Sequence, residues 1–171
     1  MREIVRYGFT LALICIIAGG LLAGVNILTR SKIIAQAQAE EEAGLKEVMP
    51  QAAHFEAVKS GDEVLYYKAH DLEGKLIGVA FKASGKGYSS TIEVMAGMLK
   101  DGTITAIKVL SQNETPGLGS RVAEPEFTGQ FKDILDTSSV QAITGATISS
   151  RAVINSVQKK AQEIKSLIKD E

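Results

Sequence analysis

The chain has 171 residues, of which 45% are hydrophobic, and its 19 basic and 20 acidic residues give a formal net charge of −1. This is material for one domain, too hydrophobic for a disordered chain and without the positive charge typical of nucleic-acid binding. The single cysteine, Cys15, excludes a disulfide framework and a multi-cysteine metal site. Aromatic residues make up only 5%, which argues against a stacking platform for single-stranded nucleic acid.

The N-terminal segment from Tyr7 to Leu28 contains 22 consecutive residues without a charge. As a helix that rises about 1.5 Å per residue it would reach about 33 Å, close to the hydrocarbon thickness of a bilayer. The run is longer than the apolar region of about 7 to 15 residues in a cleaved signal peptide. We therefore expect residues 1–30 to form a retained membrane anchor. Basic residues flank the span on both sides, so the positive-inside rule does not orient it.

Residues 31–50 are rich in alanine, glutamine and glutamate, with apolar residues at loosely helical spacing. This pattern predicts that the anchor helix continues into water as a stalk and ends at Pro50. The acidic run from Glu40 to Glu42 is expected to be a solvated face of that stalk.

Residues 51–171 predict a small soluble domain, mildly acidic because residues 31–171 carry 16 basic and 19 acidic residues. Short β-rich runs alternate with glycine turns, and the Asp101-Gly102 pair is a strong hairpin signal. The predicted strands are 64–70, 75–83, 88–99 and 103–111. A short helix is expected over 126–135, followed by an amphipathic terminal helix capped by Ser149 or Ser150. The predicted fold class is α+β, an antiparallel sheet packed by helices, behind an N-terminal transmembrane helix.

The segment from Ile143 to Ser150 is the first that could carry chemistry. Gly145 and Ala146 allow close approach of a ligand to the backbone, and the following helix would present unpaired N–H groups and the positive end of its dipole. This is a plausible phosphate cradle. The alternative is an ordinary helix start, since serine and threonine are common capping residues.

Two glycine-rich loops form the other candidates. Residues 111–120 include Thr-Pro-Gly-Leu-Gly, a rigid turn that either wraps a planar ligand or simply connects a strand to a helix. Glu114 in this loop either places a polar group over a ligand or remains in water. In the loop 85–88, two glycines permit a close backbone contact, and Tyr88 is either a core residue or a platform for a ligand.

These three segments, in this order behind an anchor, resemble the FMN-binding domain family, and within it the G subunits of Rnf electron-transport complexes. The resemblance extends from about Gly85 to Val157. It implies FMN joined by a phosphoester to the hydroxyl of Thr147, without catalytic residues or metal ligands in the chain. The residues that it places around the cofactor are Thr144, Gly145 and Ala146 beside the linkage, and Glu114, Thr115, Gly117 and Leu118 beside the flavin.

One position departs from the family pattern. The family often has an acidic residue six positions before the modified threonine, where this sequence has Gln141. If a flavin transferase contacts that position, attachment is expected to be slower or incomplete. A separate transferase that takes FMN from FAD suits this chain, because a threonine hydroxyl needs activation and no histidine lies near Thr147 in sequence.

The resemblance implies an electron-transfer subunit of an Rnf-type ion-translocating ferredoxin:NAD oxidoreductase complex, which relays electrons rather than completing a reaction alone. It implies a single span in the plasma (inner) membrane, a short cytoplasmic N-terminus and an FMN domain on the extracytoplasmic side. The implied partners are the other membrane and redox subunits and the flavin transferase, with no nucleic acid. The alternatives are the C subunit of a Na⁺-translocating NADH:quinone reductase, a stand-alone anchored flavoprotein reductase, and an anchored scaffold without a cofactor.

Overall fold

The structure, a computed structural model, describes residues 2–61 and 63–169. Its contacts divide the chain into two units, residues 1–39 and residues 40–171. One helix, α1 (Arg2–Val48), runs through the first unit and ends in the second. In the first unit its apolar side chains are exposed, and by length and composition this helix can cross a membrane. The predicted N-terminal apolar helix is therefore confirmed, and it continues through the predicted stalk without a break.

The second unit contains a five-stranded antiparallel sheet with the strand order β1-β2-β3-β4-β5. The strands are β1 (His54–Ser60), β2 (Glu63–His70), β3 (Leu76–Lys86), β4 (Thr91–Leu99) and β5 (Ile104–Ser111). Each strand pairs with its neighbour in sequence, so the sheet is the meander that the turn signals predicted. The strand β1 was missed, because at this sheet edge most of its side chains are exposed and its sequence lacks a clear apolar alternation.

Two helices follow the sheet, α2 (Pro125–Thr128) and α3 (Thr147–Lys169). The prediction of a helix over 126–135 is wrong in length, since α2 spans four residues and is followed by a 3₁₀ turn over Gly129–Phe131. Beyond that turn Ile134 forms a β-bridge with Ile104. The extended pairing of Ile134 explains why the helix cannot continue.

The main core lies between α3 and one face of the sheet. It includes Phe81 of β3, Phe127 of α2 and Val153 of α3, each buried almost completely. The opposite face of the sheet is covered by the last turns of α1, where Leu45 and Val48 pack near Met95. Apolar residues on both faces of β4 account for its continuous apolar run, because a strand buried on both sides does not alternate.

At the end of α1 the structure differs from the expectation that the acidic run from Glu40 to Glu42 is a solvated helical face. Glu41 is partly buried rather than fully solvated, since its carboxylate forms a 2.6 Å ion pair with Lys82 and accepts a hydrogen bond from the Tyr67 hydroxyl. Burial raises the pKa of Glu41, but the hydrogen bonds from Lys82 and Tyr67 outweigh it and lower the pKa. The residues expected to form the end of a free stalk thus pack on the sheet of the second unit.

Candidate functional site

The two glycine-rich loops, 85–88 and 111–120, and the segment 143–150 meet at one cavity of about 410 Å³. This volume lies within the range of small-molecule sites in proteins, roughly 300 to 1,000 Å³. The segments meet there because β4 and β5 are neighbours in the sheet, so the loop before β4 and the loop after β5 lie at the same end, where α3 begins. The cavity is lined by Tyr88, Glu114, Thr115, Leu118, Gly119, Gly145, Ala146, Thr147, Ile148 and Ser149.

Thr147 is the first residue of α3, and it is exposed. The carbonyl of Ala146 accepts the first helical hydrogen bond, from the N–H of Ser150 at 2.9 Å. The backbone N–H groups of Thr147, Ile148 and Ser149 therefore have no acceptor within the helix. Gly145 precedes them with φ +83°, a conformation that favours glycine. A hydroxyl, free N–H groups and the positive end of the helix dipole thus meet at the rim of the cavity.

The expectation that Ser149 or Ser150 caps α3 is wrong, because both lie inside the first turn and are buried. Ser150 Oγ donates to the Ala146 carbonyl at 2.9 Å and accepts from the Ile143 N–H at 3.0 Å. Ser150 therefore fixes the loop that leads into the helix.

The carboxylate of Glu114 lies beneath the cavity and is only 6% exposed, so it does not remain in water. It accepts five hydrogen bonds, from Tyr88 N at 3.1 Å, Ser89 N at 3.0 Å, Ser90 N at 2.9 Å, Ser90 Oγ at 3.3 Å and Ser149 Oγ at 2.6 Å. One side chain thereby joins the loop before β4, the loop after β5 and the first turn of α3.

These hydrogen bonds keep Glu114 ionised. Burial raises the pKa of the carboxyl, but the donors from Ser149, Ser90, Ser89 and Tyr88 outweigh burial and lower its pKa to about 2. Several donors aimed at one carboxylate stabilise the charged form in this way.

Two glycines allow this close packing around Glu114. A Cβ atom at Gly87 would lie 2.5 Å from Glu114 Oε1, and one at Gly119 would lie 2.7 Å from Glu114 Oε2 and 2.8 Å from Ser149 Oγ. All three distances are too short for a real Cβ contact. Gly87 and Gly119 are therefore required by close backbone approach, which the glycine pair in the loop 85–88 predicted.

Three large apolar side chains line the cavity and remain exposed to solvent: Tyr88, Leu118 and Ile148, at 72%, 50% and 56%. Tyr88 is thus not a core residue, and its position agrees with the alternative of a ligand platform.

Most of the residues expected around a cofactor line this cavity, but two do not. Gly117 lies outside the lining, with φ +74° and its N–H donating to Ser120 Oγ at 3.0 Å, so its role is in the turn. Thr144 lines a smaller neighbouring cavity of about 260 Å³, together with Gln141. Three lining residues were missed, Gly119, Ile148 and Ser149. Ile148 could have been expected to line the site, because this large apolar residue directly follows the motif Thr144–Thr147.

A larger cavity, of about 600 Å³, lies elsewhere in the second unit, among Val48, Ile107 and Pro125. No residue of the segments 85–88, 111–120 and 143–150 lines this cavity. The cavity of about 410 Å³ at the start of α3 is therefore the candidate site.

Comparisons with known proteins give the family of the domain that contains this cavity. Residues 87–162 match the family model of the FMN-binding domain, and residues 1–48 match that of the RnfG N-terminal region. The fold and the site therefore define a membrane-anchored protein with an FMN-binding domain.

Relatives that match nearly the whole chain narrow this class. The G subunit of the ion-translocating oxidoreductase complex of Methanosarcina acetivorans is 39% identical, and the alignment covers 91% of this chain and 92% of that protein. The G subunit of the Na⁺-translocating ferredoxin:NAD⁺ oxidoreductase complex of Acetobacterium woodii is 31% identical over 98% and 95%. The chain belongs to the family of G subunits of ion-translocating oxidoreductase complexes. Among solved structures, Shewanella oneidensis NqrC matches with a TM-score of 0.48 and 22% identity over 70% of this chain and 74% of that one.

Proposed function

We propose that this chain carries FMN covalently, through a phosphoester between the cofactor and the Thr147 hydroxyl, and passes electrons within an Rnf-type ion-translocating ferredoxin:NAD oxidoreductase complex. The observation that carries this proposal is the position of Thr147, an exposed hydroxyl at the start of α3 beside a cavity of about 410 Å³. When bound, FMN supplies the one- and two-electron redox chemistry that protein side chains lack.

The start of α3 fits the phosphate of such a linkage. A phosphodiester at Thr147 retains one negative charge, and three N–H groups without helical acceptors lie in this turn. Gly145 and the buried Ala146 keep the approach to these groups free of bulky side chains. The helix therefore provides the usual arrangement for binding an anion at its N-terminus.

The cavity next to Thr147 fits the flavin ring system. Its lining combines the apolar side chains of Tyr88, Leu118 and Ile148 with the polar Thr115. Apolar walls with a few polar groups are typical of sites for planar cofactors. Because the three apolar side chains are exposed, the site also leaves room for electron exchange with a partner.

The site supports attachment by a separate flavin transferase. In that reaction the bond between Thr147 Oγ and the FMN phosphorus forms, the pyrophosphate bond of FAD breaks, AMP leaves and the hydroxyl proton passes to a base. Among the described residues that line the cavity, Glu114 is the one carboxylate, and its five hydrogen bonds occupy it. A base from the transferase is therefore needed to activate the threonine.

We further propose that the FMN-binding domain lies on the extracytoplasmic side of the membrane, with the N-terminus in the cytoplasm. The covalent linkage supports this orientation, since a cofactor that dissociated outside the cytoplasm would be lost. The neighbours of the domain would be the other membrane and redox subunits of the complex, between which the flavin relays electrons.

The attachment is tested by coexpressing the full chain with a flavin transferase and measuring intact mass and the mass of the 143–151 peptide. We expect one FMN, less water, on Thr147. Thr147→Ala should lose this mass and the in-gel flavin fluorescence, whereas Thr128→Ala, the same change in α2 and outside the cavity, should retain both. An unmodified 143–151 peptide in the wild-type chain would refute the covalent linkage.

The orientation is tested separately with Lys100→Cys, placed in the exposed turn between β4 and β5. A membrane-impermeant maleimide should label this variant in intact cells, while the wild type, with only Cys15 in the apolar segment, remains unlabelled. Labelling that requires cell lysis would place the domain in the cytoplasm.

A further inference from the structure

Glu114 is a buried negative charge that is balanced by dipoles rather than by a cation. None of the ion pairs found among the described residues includes it. Its five donors are three backbone N–H groups and two serine hydroxyls, and each is neutral. Dipoles of this kind stabilise the ionised carboxylate, yet they leave its net charge of −1 in place. The low pKa of the group is consistent with a charge that persists over the whole physiological range.

This charge lies at the cavity where Thr147 begins α3. Glu114 and Thr147 line the same cavity, and the 2.6 Å hydrogen bond from Ser149 ties the carboxylate to the first helical turn. The backbones of Gly87 and Gly119 pass close to the carboxylate, since a Cβ atom at either position would lie within 2.5 Å and 2.7 Å, respectively, of one of its oxygens. The negative charge is thus fixed in position beside the proposed cofactor site.

We propose that the charge of Glu114 lowers the reduction potential of the flavin, and that the Ser149 hydroxyl sets how strongly the flavin experiences this charge. The inference rests on the proposed FMN attachment in this cavity. The flavin would accept each electron from one redox partner and pass it to the next. While the electron is held, it adds one negative charge to the site unless a proton accompanies it. A fixed like charge nearby makes that added charge less favourable, the more so where water is excluded. Glu114 is therefore a positioning residue for the loops and also sets the potential.

Two substitutions separate this electrostatic role from a purely structural one. Glu114→Gln removes the charge with little change in shape, so the potential should move in the positive direction. Ser149→Ala keeps the charge but removes the donor at 2.6 Å, so the carboxylate is less well compensated and the potential should move in the negative direction. If the two substitutions only disrupted the structure of the site, there would be no reason for them to shift the reduction potential in opposite directions.

The test is a spectroscopic redox titration of the full chain, purified in detergent after coexpression with the transferase. Flavin content is checked by intact mass and folding by circular dichroism. Glu73→Gln serves as the matched control, since Glu73 is an exposed carboxylate in the turn between β2 and β3 and its substitution changes the net charge equally. We expect no shift for Glu73→Gln, a positive shift for Glu114→Gln and a negative shift for Ser149→Ala.

The inference is overturned if Glu114→Gln leaves the potential unchanged or lowers it, or if both variants shift it in the same direction. If Glu114→Gln does not fold or carries no flavin, Ser149→Ala decides alone: a negative shift supports the inference, and no shift or a positive one overturns it. A wild-type chain without flavin by mass would refute the proposed attachment and the inference together. That result is distinct from a flavin that is present with an unaltered potential.

Discussion

Ser149 Oγ donates a 2.6 Å hydrogen bond to Glu114 Oε2, and this contact joins the first turn of α3 to the loop after β5, 35 residues earlier in the chain. The same carboxylate binds the backbone from Tyr88 to Ser90 on the other side. Two glycine-rich loops and the helix start are thus held together by one side chain. The integrity of the candidate cofactor site should therefore depend on Glu114 more than on any single residue of its rim.

The first prediction concerns acid stability. The pKa of Glu114 is about 2 in the folded protein and 4.5 in the reference state, so its ionisation stabilises the fold above pH 4.5. This contribution is lost as the pH falls from 4.5 through about 2, and at about 1.4 kcal/mol per pKa unit it amounts to at most about 3 kcal/mol. Denaturant unfolding of the full chain in detergent, repeated at several pH values in this window, measures the loss.

Glu114→Gln is the control for that experiment. The variant should be less stable than the wild type at pH 7, and its stability should change less between pH 4.5 and pH 2, since the titrating group is gone. Parallel curves for the two proteins would show that other carboxylates, not Glu114, account for the acid response.

The second prediction concerns the tight packing at Gly119. In Gly119→Ala the new Cβ would lie 2.7 Å from Glu114 Oε2 and 2.8 Å from Ser149 Oγ, so the carboxylate or the turn must shift. Overpacking of this kind costs about 1 to 3 kcal/mol, and flavin content should fall as well. Gly129→Ala is the matched control, because a Cβ there meets no atom within 4 Å. Equal unfolding free energies for the two variants would contradict the close approach.

The sequence was sufficient for the meander and for α3, since hairpin turns and amphipathic periodicity are local signals. The role of Glu114 could not be predicted, because its donors lie 24 to 35 residues away and depend on the pairing of β4 with β5. The start of α3 was placed three or four residues late, since serines that usually cap helices are here buried in the first turn.

The docking of the end of α1 on the sheet was also missed, for a related reason. The partners of Glu41, Lys82 on β3 and Tyr67 on β2, are remote in sequence, and an acidic run by itself has the composition of a solvated helix. The small Gly97 on β4, next to the end of α1, contributes to this close approach, because a Cβ atom there would lie 2.5 Å from the Val48 carbonyl oxygen.

The third prediction follows from that approach. In Gly97→Ala the new Cβ would lie 2.5 Å from the Val48 carbonyl oxygen and 2.9 Å from Met49 Cγ. It would also displace the Thr105 hydroxyl, which donates to the Val48 carbonyl at 2.5 Å. We expect a loss of about 1 to 3 kcal/mol in unfolding free energy, measured by denaturant unfolding with Gly129→Ala as reference. A variant as stable as the reference would show that the end of α1 is not held against β4.

The fourth prediction tests the apolar rim of the cavity. A tyrosine ring in contact with a flavin quenches its fluorescence by donating an electron to the excited flavin. Tyr88→Ala and Tyr88→Phe should therefore both increase the fluorescence yield per bound flavin, whereas Tyr88→Trp, which keeps an oxidisable ring, should not. Leu72→Ala is the control, since Leu72 is an exposed apolar residue, at 94%, in the distant turn between β2 and β3. Fluorescence is normalised to flavin content from the intact mass. An unchanged yield in Tyr88→Ala would place the flavin away from this side chain.

The fifth prediction concerns the efficiency of flavin attachment. The Gln141 N–H donates to Gln130 Oε1 at 2.8 Å, and Gln130 Nε2 donates to the Gln141 carbonyl at 3.4 Å. Both contacts use backbone atoms of Gln141, so its exposed side chain can change without disturbing them. Gln141→Asp introduces the acidic residue common in the family, and we expect faster attachment by the transferase, followed as the flavinylated fraction over time by intact mass. Ala142→Asp adds the same charge at the next exposed position and should leave the rate unaltered; equal acceleration by both variants would point to charge alone rather than to recognition at position 141.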